Sequence, residues 1–271
     1  MSILKNNDKL SAKVADIAEV AGYLWARGWA ERNGGNISVN VTECLAPGDD
    51  DRAPLATVPL PRRFPALAGH AFYVTGTGRR MRDVARRPME HGAILRLHAA
   101  ADAYDIIADG VVAPTSELPS HLAMHDYMRA VRGENTRVVC HTHPTDLIAL
   151  THHERFLRPR VLGRLLWSMI PETRIIVPRG VGIVPYEIPG SLALADATIR
   201  ALAGHDVVMW EKHGCLAVGE EVIETFDMID TLSKSAQIYL NARLAGFEPD
   251  GMTAGQLDDL VPAFNLPPEG E

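Results

Sequence analysis

Apolar residues recur at helical spacing near both ends of the chain. Near the N-terminus the apolar stripe predicts an amphipathic helix over residues 10–29; its members are Val14, Ile17, Ala18, Ala21, Leu24, Trp25 and Gly28. A second stripe predicts a long terminal helix over residues 223–244, with Phe226, Ile229, Leu232, Ala236 and Tyr239 on one face. Shorter helices are predicted for residues 115–131, with Thr115 as N-cap, and for residues 144–151, 160–168 and 191–203.

Short apolar or alternating runs between these helices predict strands. They cover residues 37–41, 71–74, 93–97, 104–108, 137–143, 174–177 and 207–210, with 215–218 as the hairpin partner of the last. Residues 44–65 are rich in Pro, Asp and Arg and are interpreted as an irregular insertion, and the tail beyond Pro262 is expected to be loose. Strands flanked by helices predict a single three-layer domain spanning residues 1–271.

Composition limits the classes of partner. The chain has 271 residues, of which 46% are hydrophobic and 23% charged, as is ordinary for a soluble globular protein. Its net charge of -7 argues against general binding to nucleic acid or an anionic membrane, because both need a basic surface. No apolar run reaches the roughly 18 residues of a membrane span. The first nine residues are polar and do not resemble a signal peptide, so we expect a cytoplasmic protein.

Two histidines separated by one residue stand out as candidate metal ligands. His141 and His143 lie at positions i and i+2 of a predicted strand, so their side chains should point to the same face. His213, after the apolar strand 207–210, could supply a third imidazole. Three histidines with an open fourth position suit a catalytic zinc or a similar divalent ion. Glu117 is a candidate fourth ligand or catalytic base.

Other residues compete for these roles. His121 and His125 are spaced i, i+4 and would share a helix face, but they lack the Glu of the His-Glu-x-x-His motif, so a structural or surface pair is preferred. The adjacent His152 and His153 are expected to face solvent. The three cysteines form no Cys-x-x-Cys motif and are interpreted as reduced thiols. Cys140 and Cys215 remain candidate fourth ligands, although Cys140 should alternate away from the histidine face.

Three short segments are rich in glycine or hydroxyl groups, namely residues 33–36, 75–78 and 115–116. Glycine allows close approach of the backbone and positive φ, and clusters of amide groups favour phosphate. A helix beginning at Ser116 would add its positive dipole end. Each segment alone is more typical of a simple turn, and none is a P-loop. Together with the histidines they indicate a phosphorylated small molecule held beside a metal.

Taken together, these motifs resemble the class II aldolase/adducin family. The resemblance runs from about residue 10 to about residue 250. Its motifs are Glu-Arg-Asn-Gly-Gly-Asn (31–36), Val-Thr-Gly-Thr-Gly (74–78), Pro-Thr-Ser-Glu-Leu-Pro (114–119), His-Thr-His (141–143), His-Gly (213–214) and Ile-Asp-Thr-Leu-Ser-Lys-Ser-Ala-Gln (229–237). The implied fold is α/β, a three-layer αβα arrangement around a central, mainly antiparallel sheet, assembled as a homotetramer with the active site at a subunit interface.

The resemblance also implies residue roles. The zinc ligands, for one Zn²⁺ per subunit, would be His141, His143 and His213, and Glu117 would be the catalytic acid/base. Glu172 would reach the aldehyde from a neighbouring subunit. The phosphate and enediolate pocket would comprise Asn33, Gly35, Asn36, Thr77, Gly78, Thr115 and Ser116. Thr77 stands where the family pattern often has Ser, and either residue supplies a hydroxyl. Arg79 and Arg80 could add positive charge, although surface exposure is the simpler interpretation.

The implied activity is metal-dependent, reversible aldol cleavage. The motifs are most similar to those of family members that cleave L-rhamnulose 1-phosphate to dihydroxyacetone phosphate and L-lactaldehyde in rhamnose catabolism. One alternative is a sister reaction on another sugar phosphate, either cleavage of fuculose phosphate or 4-epimerisation of a pentulose phosphate. A non-catalytic adducin-like binding module is a second alternative, and a zinc hydrolase is a third.

Overall fold

A single sheet organises the described part of the chain. The computed structural model describes residues 2–49 and 52–268. Within these ranges the strands are β1 (Asn36–Asn40), β2 (Ala56–Pro59), β3 (Ala71–Thr75), β4 (Gly92–Leu97), β5 (Ala103–Ile106), β6 (Val138–Thr142), β7 (Val181–Val184), β8 (Val207–Trp210) and β9 (Gly214–Gly219). Their order across the sheet is β2-β5-β4-β3-β1-β6-β9-β8-β7. Every neighbouring pair is antiparallel except β7 and β8, which confirms the mainly antiparallel sheet.

Helices cover both faces of this sheet. They are α1 (Asp8–Ala26), α2 (Met81–Val84), α3 (Pro88–His91), α4 (Leu118–Arg132), α5 (Thr145–Leu150), α6 (Pro159–Met169), α7 (Pro171–Ile176), α8 (Leu192–Leu202), α9 (Val222–Leu244) and α10 (Ala254–Phe264). None of the helices in the described ranges is both long and apolar enough to cross a membrane.

Strand alternation sorts the core into two layers. Cys140 of β6 and Cys215 of β9 pack into the cluster that contains Leu24 of α1 and Ile229 of α9. Their neighbours in the sequence face the opposite layer, where α4 and α8 pack. Burying a large apolar side chain such as Leu24 or Ile229 stabilises the fold by roughly 1.5–3 kcal/mol. Both cysteines therefore lie on the face away from His141, and the interpretation of either as a metal ligand is wrong. Burial raises the pKa of the Cys140 thiol to about 12 and that of Cys215 still further.

One predicted element is wrong, and two segments predicted to lack regular structure contain some of it. The strand predicted for residues 174–177 is wrong, because residues 174–176 end α7 and Val177 is its C-cap; β7 follows. The segment predicted to be irregular contains β2, which pairs with β5; residues 50 and 51 of that segment lie outside the described ranges. The tail predicted to be loose beyond Pro262 is still helical as far as Phe264, the end of α10, which a Thr253–Gln256 capping box starts. Residues 265–268 are in neither helix nor strand, and residues 269–271 are outside the described ranges.

The helix predicted to begin at Ser116, after Thr115 as N-cap, begins two residues later, at Leu118. Glu117 is its N-cap residue and makes no side-chain capping bond. Thr115 instead continues the chain alongside β3, where its backbone N–H donates to the carbonyl of Thr75 over 2.9 Å. Ser116 and Glu117 therefore form a turn before α4, closed by the bond from the N–H of Leu118 to the carbonyl of Thr115 over 3.0 Å.

Candidate metal centre and anion cavity

Three histidines meet where β6 ends and the β8–β9 hairpin turns. His141 lies in β6, His143 follows it, and His213 lies in the hairpin loop. Their ring centroids are 5.0 Å apart for His141 and His143, 5.0 Å for His141 and His213, and 5.5 Å for His143 and His213. One nitrogen from each can be chosen so that all three lie within 4.8 Å of one another. The three rings therefore converge on one point, as the sequence predicts.

Hydrogen bonds orient two of these rings. Nδ1 of His141 donates to the backbone carbonyl of Cys215 over 3.0 Å, and Nδ1 of His143 donates to Oε1 of Glu31 over 2.7 Å. In the neutral form, each ring then presents the lone pair of Nε2, and these two nitrogens are 3.2 Å apart. Two lone pairs at this distance repel unless a cation lies between them. Glu31 belongs to a motif of the sequence, but nothing in the sequence indicated that it orients His143.

The third ring adds a nitrogen without a partner. Nδ1 of His213 is buried and accepts or donates no hydrogen bond within the described residues. A buried polar atom without a partner is costly, and a bound ion is one of the few ways to satisfy it. The residues present therefore fit a divalent metal ion with three imidazole ligands.

Burial keeps the imidazoles of His141 and His213 neutral. It lowers the pKa of His141 well below its ordinary value, and the nearby His143 and His213 lower it further. Burial, followed by the charge of His143, lowers the pKa of His213 to about 4. Metal binding requires deprotonated imidazole, so the chain holds His141 and His213 in their binding form at neutral pH.

Two glycines allow the backbone to approach the histidines closely. Gly35 has a φ of +76°, and a Cβ there would lie 2.9 Å from the carbonyl oxygen of His141. A Cβ on Gly214 would lie 2.7 Å from Cε1 of His141 and 2.7 Å from the carbonyl oxygen of Thr142. Neither position accepts a side chain without displacing the histidines. The glycine in His-Gly is therefore required by packing.

The loop that carries His213 has an unusual backbone. Lys212 adopts a left-handed conformation with a φ of 57°, and its N–H donates to Oγ1 of Thr151 over 2.9 Å. The ring centroids of Trp210 and His141 are 4.4 Å apart. Trp210 and Thr151 thus support the histidines from neighbouring elements. No motif in the sequence indicates a role for either of them.

Glu117 enters the site beside the histidines. Its side chain is half-buried, and Nδ2 of Asn36 donates to its Oε2 over 2.7 Å. The backbone of Thr115–Glu117 is held by the bond from the N–H of Glu117 to Oγ1 of Thr115, over 3.3 Å. A carboxylate held from one side, and otherwise facing a cavity, is suited to accept or return a proton.

One cavity of about 220 Å³ joins all of these groups. Its lining comprises Asn33, Gly34, Gly35, Asn36, Gly76, Thr77, Gly78, Thr115, Ser116, Glu117, His141, His143 and His213. Every residue predicted for the substrate pocket is among them. Three larger cavities, of about 580, 680 and 410 Å³, contain none of the predicted site residues. The predicted site residues therefore line the smaller, more polar cavity.

Glu172 is the one predicted site residue that lies elsewhere. It is exposed in the first turn of α7 and does not line the cavity of its own chain. The prediction that it serves a neighbouring subunit stays a prediction. Arg79 and Arg80 are exposed beside the mouth of the cavity, and His152 and His153 are exposed as predicted.

His121 and His125 are buried, so the interpretation of them as a surface pair is wrong, and the interpretation as a structural pair remains. Their exposed fractions are 1% and 2%, and they face β1 from α4. Burial lowers the pKa of each to about 3. Both rings are therefore neutral, and they lie beneath the cavity without lining it.

Comparison with known proteins agrees with this geometry. The family model of the class II aldolase and adducin N-terminal domain matches residues 15–240. A protein of Bacteroides thetaiotaomicron named rhamnulose-1-phosphate aldolase is 51% identical over 267 residues, which cover 98% of this chain and 99% of that protein. A protein of Mannheimia succiniciproducens with the same name is 34% identical and covers 90% of this chain and 91% of its own length.

Among solved structures, a sugar-phosphate aldolase from Thermotoga maritima has a similar fold. It superposes with a TM-score of 0.78 at 31% sequence identity, over 89% of this chain and 99% of that one. The likeness therefore extends over nearly the full length of both chains.

Proposed function

The chain belongs to the class II aldolase and adducin family, and from this premise we propose that it cleaves L-rhamnulose 1-phosphate reversibly to dihydroxyacetone phosphate and L-lactaldehyde. It is a lyase of the aldolase class. The observation that carries the proposal is the single cavity that joins three convergent histidines, Glu117 and three segments rich in amide and hydroxyl groups. The 51% identity with the Bacteroides protein of that name supports the choice of substrate.

We propose Zn²⁺ as the metal, with His141, His143 and His213 as its ligands. The support is chemical: three neutral imidazoles with an open position are a common catalytic zinc site, and Zn²⁺ prefers nitrogen ligands of this kind. When bound, the ion supplies Lewis acidity that stabilises negative charge on the oxygens of the substrate. Glu31 keeps His143 oriented, and the Cys215 carbonyl keeps His141 oriented.

Glu117 is proposed to move the proton of the reaction. In cleavage the hydroxyl on the carbon that becomes the aldehyde gives up its proton as the carbon–carbon bond breaks, and the carbon that the aldehyde leaves must gain a proton, so no net proton is consumed. The carboxyl group of Glu117 borders the cavity and can deliver this proton, then recover it in the direction of synthesis. Asn36 holds one oxygen of Glu117, so the other is left for the substrate.

The phosphate is proposed to bind at the mouth of the cavity. Thr77, Gly78 and Ser116 are exposed there, while Thr115 is buried at its wall. Hydroxyl groups and backbone amides recognise a phosphate without a fixed positive charge. This accords with an acidic protein that has to select a small phosphorylated ligand rather than a polyanion.

We propose a cytoplasmic homotetramer in which Glu172 of a neighbouring subunit completes each site. Its exposure on α7 supports this, because the carboxylate is accessible to another chain and does not reach the cavity of its own chain. The aldehyde would then bind between subunits. Activity would depend on assembly.

Substrate profiling of the purified protein tests the choice of reaction. L-rhamnulose 1-phosphate, L-fuculose 1-phosphate and a pentulose 5-phosphate are compared at equal concentration, with release of dihydroxyacetone phosphate and epimerisation as the readouts. The proposal expects the highest kcat/KM with L-rhamnulose 1-phosphate. Preference for another substrate would assign the chain to a sister activity, and no turnover of any of them by metal-loaded protein would favour the binding-module alternative.

A further inference from the structure

A chain of hydrogen bonds runs from Glu117 into the protein, away from the metal centre. Nδ2 of Asn36 donates to Glu117, and the Oδ1 of Asn36 is hydrogen-bonded to Nε2 of His121. The Nδ1 of His121 lies 2.7 Å from Oγ of Ser38, which in turn lies 2.8 Å from Nε2 of His125. Four consecutive bonds thus connect the proposed proton-transfer group with a histidine two turns into α4.

The spacing of these residues explains why the chain forms. Asn36 and Ser38 are i and i+2 in β1, so both side chains point to the face on which α4 packs. His121 and His125 are i and i+4 in α4 and point back toward β1. The two pairs therefore interleave between the strand and the helix. Asn36, Ser38 and both histidines are all more than nine-tenths buried, so water does not replace these contacts.

A single assignment of hydrogens satisfies the whole chain while Glu117 is ionised. A carboxylate only accepts, so the amide NH₂ of Asn36 must face it and the carbonyl of Asn36 must face His121. Nε2 of His121 must then carry the proton, and its Nδ1 accepts from the hydroxyl of Ser38. The Oγ of Ser38 accepts in turn from Nε2–H of His125. Each bond fixes the direction of the next.

We propose that His121 is a positioning residue: as the Nε2–H tautomer it holds the amide of Asn36 with its NH₂ toward Glu117, so that one oxygen of Glu117 is left for proton transfer. The inference rests on the proposed function, because it assigns the support of that same site. His121 does not line the cavity and is not one of the three clustered histidines. Its neutral form persists across the physiological range, because burial lowers its pKa to about 3.

His125 supplies a matched control. It is as buried as His121, lies one turn further along α4 and packs on Phe72 at a centroid distance of 4.8 Å. Removing it leaves the hydroxyl of Ser38 free to donate to His121, so the orientation of Asn36 survives. His121→Phe and His125→Phe therefore cost similar packing, but only the first releases Asn36.

The test compares these two variants in the metal-loaded protein. For His121→Phe we expect kcat for cleavage, and solvent exchange of the dihydroxyacetone phosphate proton, to fall roughly 10- to 100-fold, as supporting hydrogen bonds behind a reactive group typically contribute. KM and metal content should stay near those of the unchanged protein. His125→Phe should keep kcat within about threefold, well below the tenfold that 1.4 kcal/mol represents. Equal losses in both variants, or none in His121→Phe, would overturn the proposal.

A milder substitution and a spectrum keep the test decisive if the phenylalanine variants fold poorly. The side-chain NH₂ introduced by His121→Gln can replace Nε2–H as donor to Asn36, so this variant should regain most of kcat relative to His121→Phe. In protein labelled with ¹⁵N-histidine, the signal lost in His121→Gln should report Nε2–H; an Nδ1–H tautomer would contradict the assignment. The spectrum needs no turnover, and failure of the unchanged protein to cleave the substrate would count against the proposed function alone.

Discussion

At the scale of single residues, the site depends on how each polar atom is occupied. His141 and His143 each have one nitrogen bound to the protein and one directed at the shared point, and Glu117 has one oxygen bound to Asn36. In each case one atom is fixed so that the other is available. The atom bound to the protein holds the side chain in its orientation, and the other atom is left for the metal ion or the substrate.

Replacing Glu117 by Gln should therefore lower kcat by ~100- to 10,000-fold, the usual contribution of a general acid or base. The amide retains a carbonyl that can accept from Asn36, so folding, metal content and phosphate affinity should change little. The measurement is exchange of the dihydroxyacetone phosphate proton with deuterated solvent, alongside cleavage. Glu90→Gln, at an exposed carboxylate on α3, is the control and should behave as the unchanged protein. Exchange at the original rate in Glu117→Gln would mean that another residue is the base.

At the scale of elements, the β8–β9 hairpin and β6 place the histidines through close backbone contact. Gly214→Ala should push His141 away, because the new Cβ would lie 2.7 Å from its ring. Overpacking of this kind typically costs about 1–3 kcal/mol. We expect weaker zinc binding by competition with a chelating dye, together with lower thermal stability. Gly204→Ala, where no atom lies within 4 Å of the new Cβ, should change neither quantity. Unaltered zinc affinity in Gly214→Ala would show that the ring has room to move.

The buried histidines of α4 also predict how stability depends on pH. Their pKa of about 3 in the folded protein lies below the ordinary 6.5, so the unfolded chain takes up protons first as pH falls. Their contribution to stability is complete above about pH 6.5 and is lost progressively between about pH 6.5 and about pH 3. At pH 5, about 1.5 units below 6.5, the loss is on the order of 2 kcal/mol for each histidine.

Urea unfolding at pH 7.5 and pH 5, with chelator present and at one protein concentration, measures this loss. His125→Phe should reduce the difference between the two pH values by on the order of 2 kcal/mol relative to the unchanged protein. His152→Phe, at an exposed histidine, should leave the difference as it was. The same pH dependence in all three proteins would show that His125 is protonated as readily in the folded state as in the unfolded one.

The sequence predicted the elements whose signals are local. The helical stripes of α1 and α9 and the alternation around His141 gave helices and strands within a few residues of their bounds. Residues 174–177 misled because Ile175, Ile176 and Val177 favour a strand by propensity. The structure has a helix there because Pro171 begins one and because Arg174 is buried with its guanidinium 4.4 Å over the ring of Trp167. Such a contact between elements leaves no periodic trace in the sequence.

In the candidate site, too, residues in local motifs were predicted and contacts between distant segments were not. All of the cavity residues lie in motifs of the sequence, because the spacing and chemistry of these motifs can be recognised without knowledge of the fold. The interleaving of Asn36 and Ser38 with the α4 histidines depends on β1 packing against α4, a contact between segments more than 80 residues apart. The i, i+4 spacing of the two histidines was the only available signal, and it did not show which way they face.

At the scale of the whole molecule, one carboxylate of the proposed site belongs to a different surface. Glu172 is exposed on α7, away from its own cavity, so a shared site requires assembly. Co-expression of Glu117→Ala and Glu172→Ala subunits tests this. Mixed oligomers should regain activity that neither variant has alone, since some sites combine an intact Glu117 with an intact Glu172. An inactive Glu172→Ala protein whose mixed oligomers gain nothing would show that Glu172 acts within its own chain.

The most direct test of the central claim is release of dihydroxyacetone phosphate from L-rhamnulose 1-phosphate by one preparation of the protein in three states. These are the protein as purified with zinc, the protein after treatment with a chelator, and the chelated protein after zinc is returned. The account predicts cleavage in the first state, loss in the second and recovery in the third. Cleavage that survives complete removal of metal, or no cleavage by the zinc-loaded protein, would contradict it.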